Sequence, residues 1–420
     1  MPRVLLLLPS ATYRATDFVK AADRLGAEVV VASDRVQALA KVMGDRALRL
    51  DLARPEAAAE ELVRSAERRP LDGVVAVDDR GVVVAALAGE RLGLAHNPPE
   101  AARRARDKIA MRAAFSAAGV LQPAHRVVSD PSADVAALAG EVGFPAVVKP
   151  VTLSGSRGVI RADDAAGAAR AADRIRRILA DAGEDPGGPL LVEVFVPGQE
   201  VAVEGLLRGG RLEVLAVFDK PDPLEGPYFE ETIYVTPSRH PAAVLDRAER
   251  AVAAACEALG LREGPIHAEL RLPPGRPDEP VVLEVAARSI GGLCSRSLRF
   301  GLGVSLEEVI LRHALGLPLD EAGLRREAAA SGVMMLPILR RGVLREVRGV
   351  EEARAVPGVD GLEITIPPGR PVVPLPEGDR YLGFLFARGE DPEAVERSLR
   401  AGHARLEVVI DDRTRNAGGR

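Results

Sequence analysis

Two short segments of the sequence, residues 266–272 and 281–288, alternate apolar and polar side chains. In a β-strand this alternation places Glu269 on the polar face of the first strand, and Glu284 with Arg288 on that of the second. Paired as a hairpin, the strands bring two carboxylates side by side, where they repel unless a cation lies between them. Mg²⁺ suits such a site because it binds carboxylate and phosphate oxygens together. The alternative is a solvated outer face that binds nothing.

Lys149 is a charged residue inside an otherwise apolar segment, residues 144–150. A buried ammonium without a partner is costly, so this one either reaches solvent at a strand end or points at an anion such as a phosphate. The segment that follows favours the phosphate, because a loop of small residues offers backbone N–H groups to an anion. The loop contains Ser154, Gly155, Ser156 and Gly158. Most Gly/Ser loops are only turns, so the loop alone does not decide.

A third segment, residues 190–200, carries Glu193 among apolar neighbours and Glu200 after a Pro-Gly turn. A strand edge here would present backbone groups to an adenine, with Glu193 accepting from the adenine amino group. Glu200 would then accept hydrogen bonds from ribose hydroxyls. The alternative is that both are surface carboxylates on an amphipathic meander.

The elements that would hold these residues divide the chain into three parts. Residues 1–100 alternate strands with helices, which indicates a parallel α/β sheet, and they end at the double proline Pro98-Pro99. Residues 101–330 contain strands joined by Gly and Pro-Gly turns, as in antiparallel hairpins, with helices between them. Residues 331–420 return to short strands with Pro-rich turns. We therefore predict a multidomain protein of mixed α/β and α+β class.

Length and composition exclude several classes of protein. A net charge of −5 over 420 residues argues against a nucleic-acid-binding protein, and two cysteines exclude a disulfide scaffold. No apolar run reaches the roughly 18 residues of a membrane helix, so we expect a cytoplasmic protein with no membrane partner. No lysine follows a glycine, which excludes a Walker-type phosphate loop, and no G-x-G-x-x-G follows the first strand.

In their order along the chain, these segments resemble the ATP-grasp superfamily over roughly residues 107–315. The matching motifs are Asp107-Lys108, Val147-Val148-Lys149-Pro150, the Gly-rich hairpin, Glu193 with Gly198-x-Glu200, His267-x-Glu269 and Glu284-x-x-x-Arg288. The resemblance implies ATP held between two α+β subdomains, residues 101–187 and 188–330, with an N-terminal α/β domain before them and a small β-rich cap after them. It also implies an acyl-phosphate that is made from a carboxylate and captured by a nucleophile, usually an amine.

The resemblance further implies a role for each matched residue. Four groups of residues would bind ATP. They are the phosphate lysines Lys108 and Lys149, the Gly-rich loop residues Ser154, Gly155, Ser156 and Gly158, the adenine-binding residues Glu193, Phe195 and Val196, and the ribose acceptor Glu200. Glu269 and Glu284 would bind Mg²⁺, or Mn²⁺ in its place, with Glu284 bridging two ions. Many members carry Asn two residues after the bridging Glu as a further ligand, where this chain has Ala286. The number of metal ions therefore stays open.

Within the superfamily, the chain looks most like bacterial L-amino-acid ligases, which make dipeptides and related amides. This closer resemblance rests on Asp219-Lys220 and on residues 228–238 and 284–292. It implies an amide-forming ligase that releases ADP and phosphate, with Lys220 and Arg288 as catalytic cations. The predicted substrate contacts are Glu230, Glu231, His267, Gly291 and Gly292. An acidic pair facing a substrate ammonium, with Arg288 facing its carboxylate, would suit a zwitterionic amino acid.

Two other functions stay open at this point. A purine-pathway ATP-grasp enzyme has the same three-part layout and would need a ribose-phosphate site in the first domain, for which residues 9–16 with Arg14 are the candidate. A non-catalytic ATP-binding module is the second alternative. In the ligase interpretation the partners are a small carboxylate and an amine, both expected to be amino acids. We expect no nucleic-acid partner, and the chain could form a homodimer.

Overall fold

The computed structural model describes residues 1–10, 12–36, 40–301 and 303–412. Its first region is a parallel sheet in the order β3-β2-β1-β4, with helices packed on it, as predicted. The strands are β1 (Arg3–Leu7), β2 (Glu28–Ser33), β3 (Ala47–Arg49) and β4 (Gly73–Ala76), and the helices are α1 (Ala15–Arg24), α2 (Ala40–Met43), α3 (Pro55–Arg68) and α4 (Val82–Leu92). Every residue of β1 is buried, because a parallel strand is covered by helices on both faces.

Two helices, α5 (Pro99–Arg106) and α6 (Lys108–Ala118), connect this region to an antiparallel sheet in the order β5-β8-β6-β7. The Asp107 carboxylate caps α6 by accepting from the backbone N–H groups of Ile109 and Ala110, at 2.8 and 3.0 Å. This cap fixes Lys108 as the first residue of the helix. The sheet and its helices are β5 (His125–Val128), α7 (Val135–Val142), β6 (Ala146–Pro150), β7 (Ile160–Ala162), α8 (Ala165–Asp181) and β8 (Leu190–Val194).

The remaining strands form one large sheet in the order β13-β12-β9-β10-β11-β14-β18-β16, with a small sheet β17-β15-β19 beside it. The middle region supplies β9 (Gln199–Arg208), β10 (Arg211–Lys220), β11 (Ile233–Thr236), α9 (Ala242–Leu259), β12 (Gly264–Leu272), β13 (Val281–Ala286), α10 (Leu306–Ala314) and α11 (Glu321–Leu324). The last region supplies β14 (Ala330–Leu336), β15 (Gly342–Arg348), α12 (Val350–Arg354), β16 (Val359–Ile364), β17 (Pro371–Val372), β18 (Gly383–Gly389), α13 (Pro392–His403) and β19 (Glu407–Asp411).

The large sheet runs across the predicted boundary near residue 330. The edge of β11 pairs with β14, and β14 pairs with β18, so the last region extends the sheet of the middle region. One apolar cluster likewise draws side chains from all three regions, among them Phe18, Phe218, Phe300 and Phe384. The division into domains 1–100, 101–330 and 331–420 stays a prediction, and residues 413–420 lie outside the described part of the chain.

Both cysteines, Cys256 and Cys294, are buried and unpaired. Among the described residues, no helix is both long enough and apolar enough to cross a membrane.

Candidate active site

Strands β12 and β13 place the two predicted metal carboxylates directly opposite each other. Glu269 pairs with Glu284 in the antiparallel register, and the next step of the ladder is shifted by a bulge between Glu269 and Leu270. His267 lies opposite Ala286 in the same ladder. The alternating pattern of the sequence therefore predicted correctly that both carboxylates share one face, because a two-residue period leaves one face for both, while their direct pairing is set by the strand register.

Lys108 connects this carboxylate pair to the Gly-rich loop. Its ammonium lies 3.3 Å from a Glu284 oxygen and donates to the carbonyl of Leu153 at 3.1 Å, one residue before the loop begins. Lys108 is nearly buried, so its side chain points into the protein. A phosphate held between the loop and the carboxylates would meet this cation.

Lys149 lies in β6 and is also buried, with its ammonium 2.7 Å from one Glu193 oxygen. The other Glu193 oxygen accepts from Nε of Arg112 at 2.5 Å, and Arg112 donates onward to the carbonyl of Leu283 at 2.6 Å. Arg112 is a site residue that the sequence analysis missed. The available signal was its spacing, since it lies one helical turn after Lys108 on α6.

The charges of this cluster are set by burial and by the cations. Burial alone would raise the pKa of Glu193, but Arg112 and Lys149 outweigh it and lower that pKa to about 2. Burial lowers the pKa of Lys149, and Glu193 opposes that shift. Because each Glu193 oxygen already faces a cation, its clearest role in the structure is to orient Lys149. Its contact with adenine stays a prediction.

The Gly-rich loop has the backbone that its sequence predicts. Gly155, Ser156 and Gly158 have φ angles of +64°, +55° and +73°, in the region that favours glycine. The N–H of Gly158 donates to the carbonyl of Pro376 at 3.0 Å, so this amide is engaged within the protein. Phosphate contacts from the other loop residues, including Ser154, stay a prediction.

The stretch that is predicted to bind adenine is partly engaged within the protein as well. The N–H of Phe195 donates to the carbonyl of Pro145 at 2.8 Å, which leaves the Phe195 carbonyl and Val196 as the predicted adenine contacts. The Phe195 ring stacks on Phe229 at 6.2 Å between centroids, and the Arg161 guanidinium lies 4.6 Å from the ring centre. An aromatic wall therefore adjoins the place where a base would bind.

Lys220 brings together three carboxylates that the sequence analysis had assigned to ribose, substrate and metal. Its ammonium lies 2.6 Å from Glu200, 2.5 Å from Glu231 and 3.1 Å from Glu269. Oxygens of these three carboxylates lie within 4.8 Å of one another. Burial would lower the pKa of Lys220, but the carboxylates outweigh it and hold that pKa well above its usual value, so Lys220 stays a cation.

Two further contacts fix this cluster. The second oxygen of Glu200 pairs with Nε of Arg271 at 2.9 Å, and the Tyr234 hydroxyl donates to Glu231 at 2.6 Å. Burial alone would raise the pKa of Glu269, but Lys220 and His267 outweigh burial and lower that pKa, so this carboxylate stays ionised.

The N-terminal region also reaches the site. Nε and Nη2 of Arg288 each lie 3.0 Å from one carboxylate oxygen of Asp79, which follows β4. Burial alone would raise the pKa of Asp79, but the charge of Arg288 outweighs burial and lowers that pKa. Arg14 donates to the Ser289 hydroxyl at 2.7 Å and to the Ile290 carbonyl at 2.9 Å. Asp79 is a second residue that the sequence analysis missed, since only the fold brings it to Arg288.

Glu204 is a third missed residue and is fully buried in β9. It accepts from the backbone N–H of Ile290 and lies 3.0 Å from Nδ1 of His267, so it holds the ring next to the loop of residues 289–292, which contains the predicted substrate contacts Gly291 and Gly292. In that loop Gly292 has a φ of +59°, and a Cβ there would lie 2.7 Å from the Phe384 ring. Nothing lies within 4 Å of a Cβ built on Gly291, which leaves room beside it.

Glu230 and Glu231 follow each other in the segment before β11. Glu231 is held by Lys220 and Tyr234, as described above. Burial raises the pKa of Glu230, and a backbone hydrogen bond at Ile338 opposes the shift. A carboxylate in this state gains from an incoming ammonium.

The chain is similar to known proteins in sequence and in fold. Three family models match: the ATP-grasp N-terminal domain over residues 19–96, the ATP-grasp domain over 142–297, and the L-amino acid ligase C-terminal domain 2 over 334–411. The fold is similar to that of an L-amino acid ligase from Bacillus licheniformis, with a TM-score of 0.79 and 24% identity, over 98% of this chain and 99% of that one.

Two curated relatives are similar in sequence. Alanine–anticapsin ligase of Bacillus subtilis is 29% identical over 61% of this chain. Carnosine synthase 1 of Gallus gallus is 34% identical over 69% of this chain. The matches span only 56% and 33% of these two relatives.

Proposed function

The chain belongs to the ATP-grasp superfamily, and we propose that it is an ATP-dependent carboxylate–amine ligase that joins amino acids through an acyl-phosphate. The observation that carries the proposal is the register of β12 and β13. It sets Glu269 against Glu284 beside two buried lysines, Lys108 and Lys220, on the strand pair that leads to Arg288. The last-region match to an L-amino acid ligase domain supports the amide product.

A divalent cation fits the donor set. Glu269 and Glu284 offer only oxygen ligands, which suit Mg²⁺ and also Mn²⁺. When bound, Mg²⁺ would neutralise phosphate oxygens and hold them against the carboxylates. Ala286 offers no ligand atom two residues after Glu284, so a second ion would need a donor from elsewhere.

Cationic side chains of the protein would neutralise the phosphate charge that Mg²⁺ does not. Lys108 and Lys149 would hold the ATP phosphates, and Arg288 would stabilise the phosphoryl group as it transfers. A carboxylate oxygen of one substrate attacks the γ-phosphorus and ADP leaves. The amine of the second substrate then attacks the acyl carbon, and phosphate leaves with the former carboxylate oxygen while the amine gives up its proton.

The predicted substrate contacts suit an amino acid. Glu230 and Glu231 would hold its ammonium, with Glu231 fixed by Lys220 and Tyr234. Arg288 would hold the opposite, carboxylate end, supported by Asp79. Opposite charges at opposite ends of a pocket select a zwitterion over a plain acid or amine.

The phosphate contact that the purine-pathway alternative would use is already engaged within the protein. Arg14 is fully buried, and its guanidinium already contacts Ser289, Ile290 and Glu307, the last at 3.0 Å. Both Nη atoms are thus engaged within the protein, and the Nε, which has no partner among the described residues, is buried with them, so a ribose phosphate could reach this group only by displacing these contacts. The cytoplasmic location, the lack of nucleic-acid and membrane partners, and the homodimer stay predictions.

ADP release tests the proposal directly. The purified protein should release ADP with Mg²⁺, ATP and a mixture of amino acids, and mass spectrometry should find an amide product. Purine ribonucleotides in place of amino acids should give only the background rate. The opposite pattern would favour the purine-pathway function, and no release with either would favour a non-catalytic ATP-binding module.

A further inference from the structure

A short turn in the last region, residues 373–378, holds the Gly-rich loop from outside. The Pro376 carbonyl accepts from the backbone N–H of Gly158 at 3.0 Å, and the Glu377 carbonyl accepts from Nε of Arg157 at 3.0 Å. The turn is tight, since the N–H of Gly378 donates to the Pro374 carbonyl at 2.9 Å and a Cβ at Gly378 would lie 2.2 Å from the Val373 carbonyl oxygen. This turn therefore contacts the loop that is predicted to cover the ATP phosphates at two backbone carbonyls.

The Glu377 side chain extends this contact to α8. Its two oxygens accept from Nε and Nη2 of Arg174, at 2.6 and 3.0 Å. Such a two-point contact between a guanidinium and a carboxylate fixes orientation as well as distance. Both side chains are partly shielded, with 35% of Arg174 and 24% of Glu377 exposed.

Arg174 in turn reaches the segment that carries the acidic substrate residues. Its Nη1 donates to the Tyr228 hydroxyl, and its guanidinium lies 5.0 Å from the centre of the Tyr228 ring. Tyr228 lies two residues before Glu230 and three before Glu231. One arginine thus contacts the turn and the substrate segment at the same time.

The strand after the Gly-rich loop makes a second link to the substrate segment. Ile160 forms a β-bridge with Tyr228, and the backbone N–H of Arg161 donates to the Pro227 carbonyl at 2.9 Å. Gly226 has a φ of +93°, and a Cβ there would lie 2.9 Å from the Arg161 side chain. The two backbones therefore pack in direct contact, and movement of one displaces the other.

We propose that Glu377 is a positioning residue that, through Arg174 and Tyr228, couples closure of the Gly-rich loop over ATP to ordering of the substrate segment around the amino acid. Bound amino acid then strengthens ATP binding and bound ATP strengthens amino acid binding by the same factor, because linkage is reciprocal. This inference rests on the proposed function both for the contact of the Gly-rich loop with ATP and for the identity of the second ligand.

Nucleotide binding without turnover tests the coupling. A non-hydrolysable ATP analogue with Mg²⁺ is titrated into the wild type, into Glu377→Gln and into Tyr228→Phe, with and without saturating amino acid mixture. In the wild type the mixture should tighten analogue binding at least about fivefold, the low end of known couplings. In Glu377→Gln this enhancement should fall below about twofold, and Tyr228→Phe should lie between the two.

Asp360→Asn is the matched control. Asp360 lies in the same region and pairs with Arg388 at 2.9 Å, away from the Gly-rich loop and the substrate segment. It should keep the wild-type enhancement. The proposal would be overturned if Glu377→Gln kept the wild-type enhancement. This includes the case in which the variant binds both ligands equally more weakly but keeps the enhancement. An amino acid mixture without effect on the wild type would also overturn it. Amide formation, assayed separately, decides the proposed function.

Discussion

Replacing Glu193 by Gln should destabilise the protein by about 3 kcal/mol at pH 7. Glu193 is buried, its pKa is about 2, and an ordinary glutamate has a pKa of 4.5. Each unit of pKa shift corresponds to about 1.4 kcal/mol, so the ion pairs with Arg112 and Lys149 stabilise the folded state by roughly 3 kcal/mol. Glutamine keeps the shape but loses this charge, and it leaves two buried cations without their shared partner.

The pH dependence follows from the direction of the shift. Because the folded pKa lies below the unfolded one, the stabilisation is complete above pH 4.5 and is lost as the pH falls toward about 2. The difference between wild type and Glu193→Gln should therefore be constant from neutral pH to about pH 5.5 and shrink below it. Urea unfolding at several pH values, followed by circular dichroism, measures this difference.

Glu141→Gln is the control for the loss of an ion pair in the same antiparallel sheet region. Glu141 pairs with Arg126 at 2.8 Å, but both side chains are about half exposed. Its loss should cost less than about 1 kcal/mol. A Glu193→Gln protein that loses no more than this control, or whose deficit grows as the pH falls, would refute the reasoning.

Three further predictions concern activity. Lys149→Ala should stay folded but lose ATP affinity by at least about tenfold, measured by nucleotide titration, and Lys149→Arg should fail too because a guanidinium cannot replace a point charge there. Glu284→Gln should reduce turnover more than Glu269→Gln across a Mg²⁺ titration, since only Glu284 is predicted to bridge two ions; wild-type turnover of either at low Mg²⁺ would contradict this. Glu230→Lys or Glu231→Lys should raise the KM for the amino acid far more than that for ATP, and equal effects on both would return this segment to a structural role.

Local patterns in the sequence predicted the parts of the site that depend on local structure. Alternation over six to nine residues is enough to place Glu269 and Glu284 on one face of the hairpin, because the period of a strand leaves little choice of face. Lys149 stood out for a similar reason, as one of only five lysines among 56 basic residues and inside an apolar strand. Both predictions needed no knowledge of distant contacts.

The missed residues depend on contacts between distant segments. Arg112 is one arginine among many, and only the fold brings it from α6 to Glu193 in β8, 81 residues away. Asp79 meets Arg288 across 209 residues, and Glu204 meets Ile290 across 86. The extension of the large sheet by β14 and β18 is likewise a long-range pairing that turn residues near 330 do not reveal.

The path of one oxygen atom tests the central claim most directly. Amino acids labelled with ¹⁸O in the carboxylate are incubated with the protein, Mg²⁺ and ATP, and the released phosphate is analysed by mass spectrometry. If the carboxylate attacks the γ-phosphorus and an amine then displaces phosphate, one phosphate that carries one ¹⁸O atom is released for each amide formed. Amide formation with unlabelled phosphate, or phosphate release without any amide, would contradict an acyl-phosphate ligase.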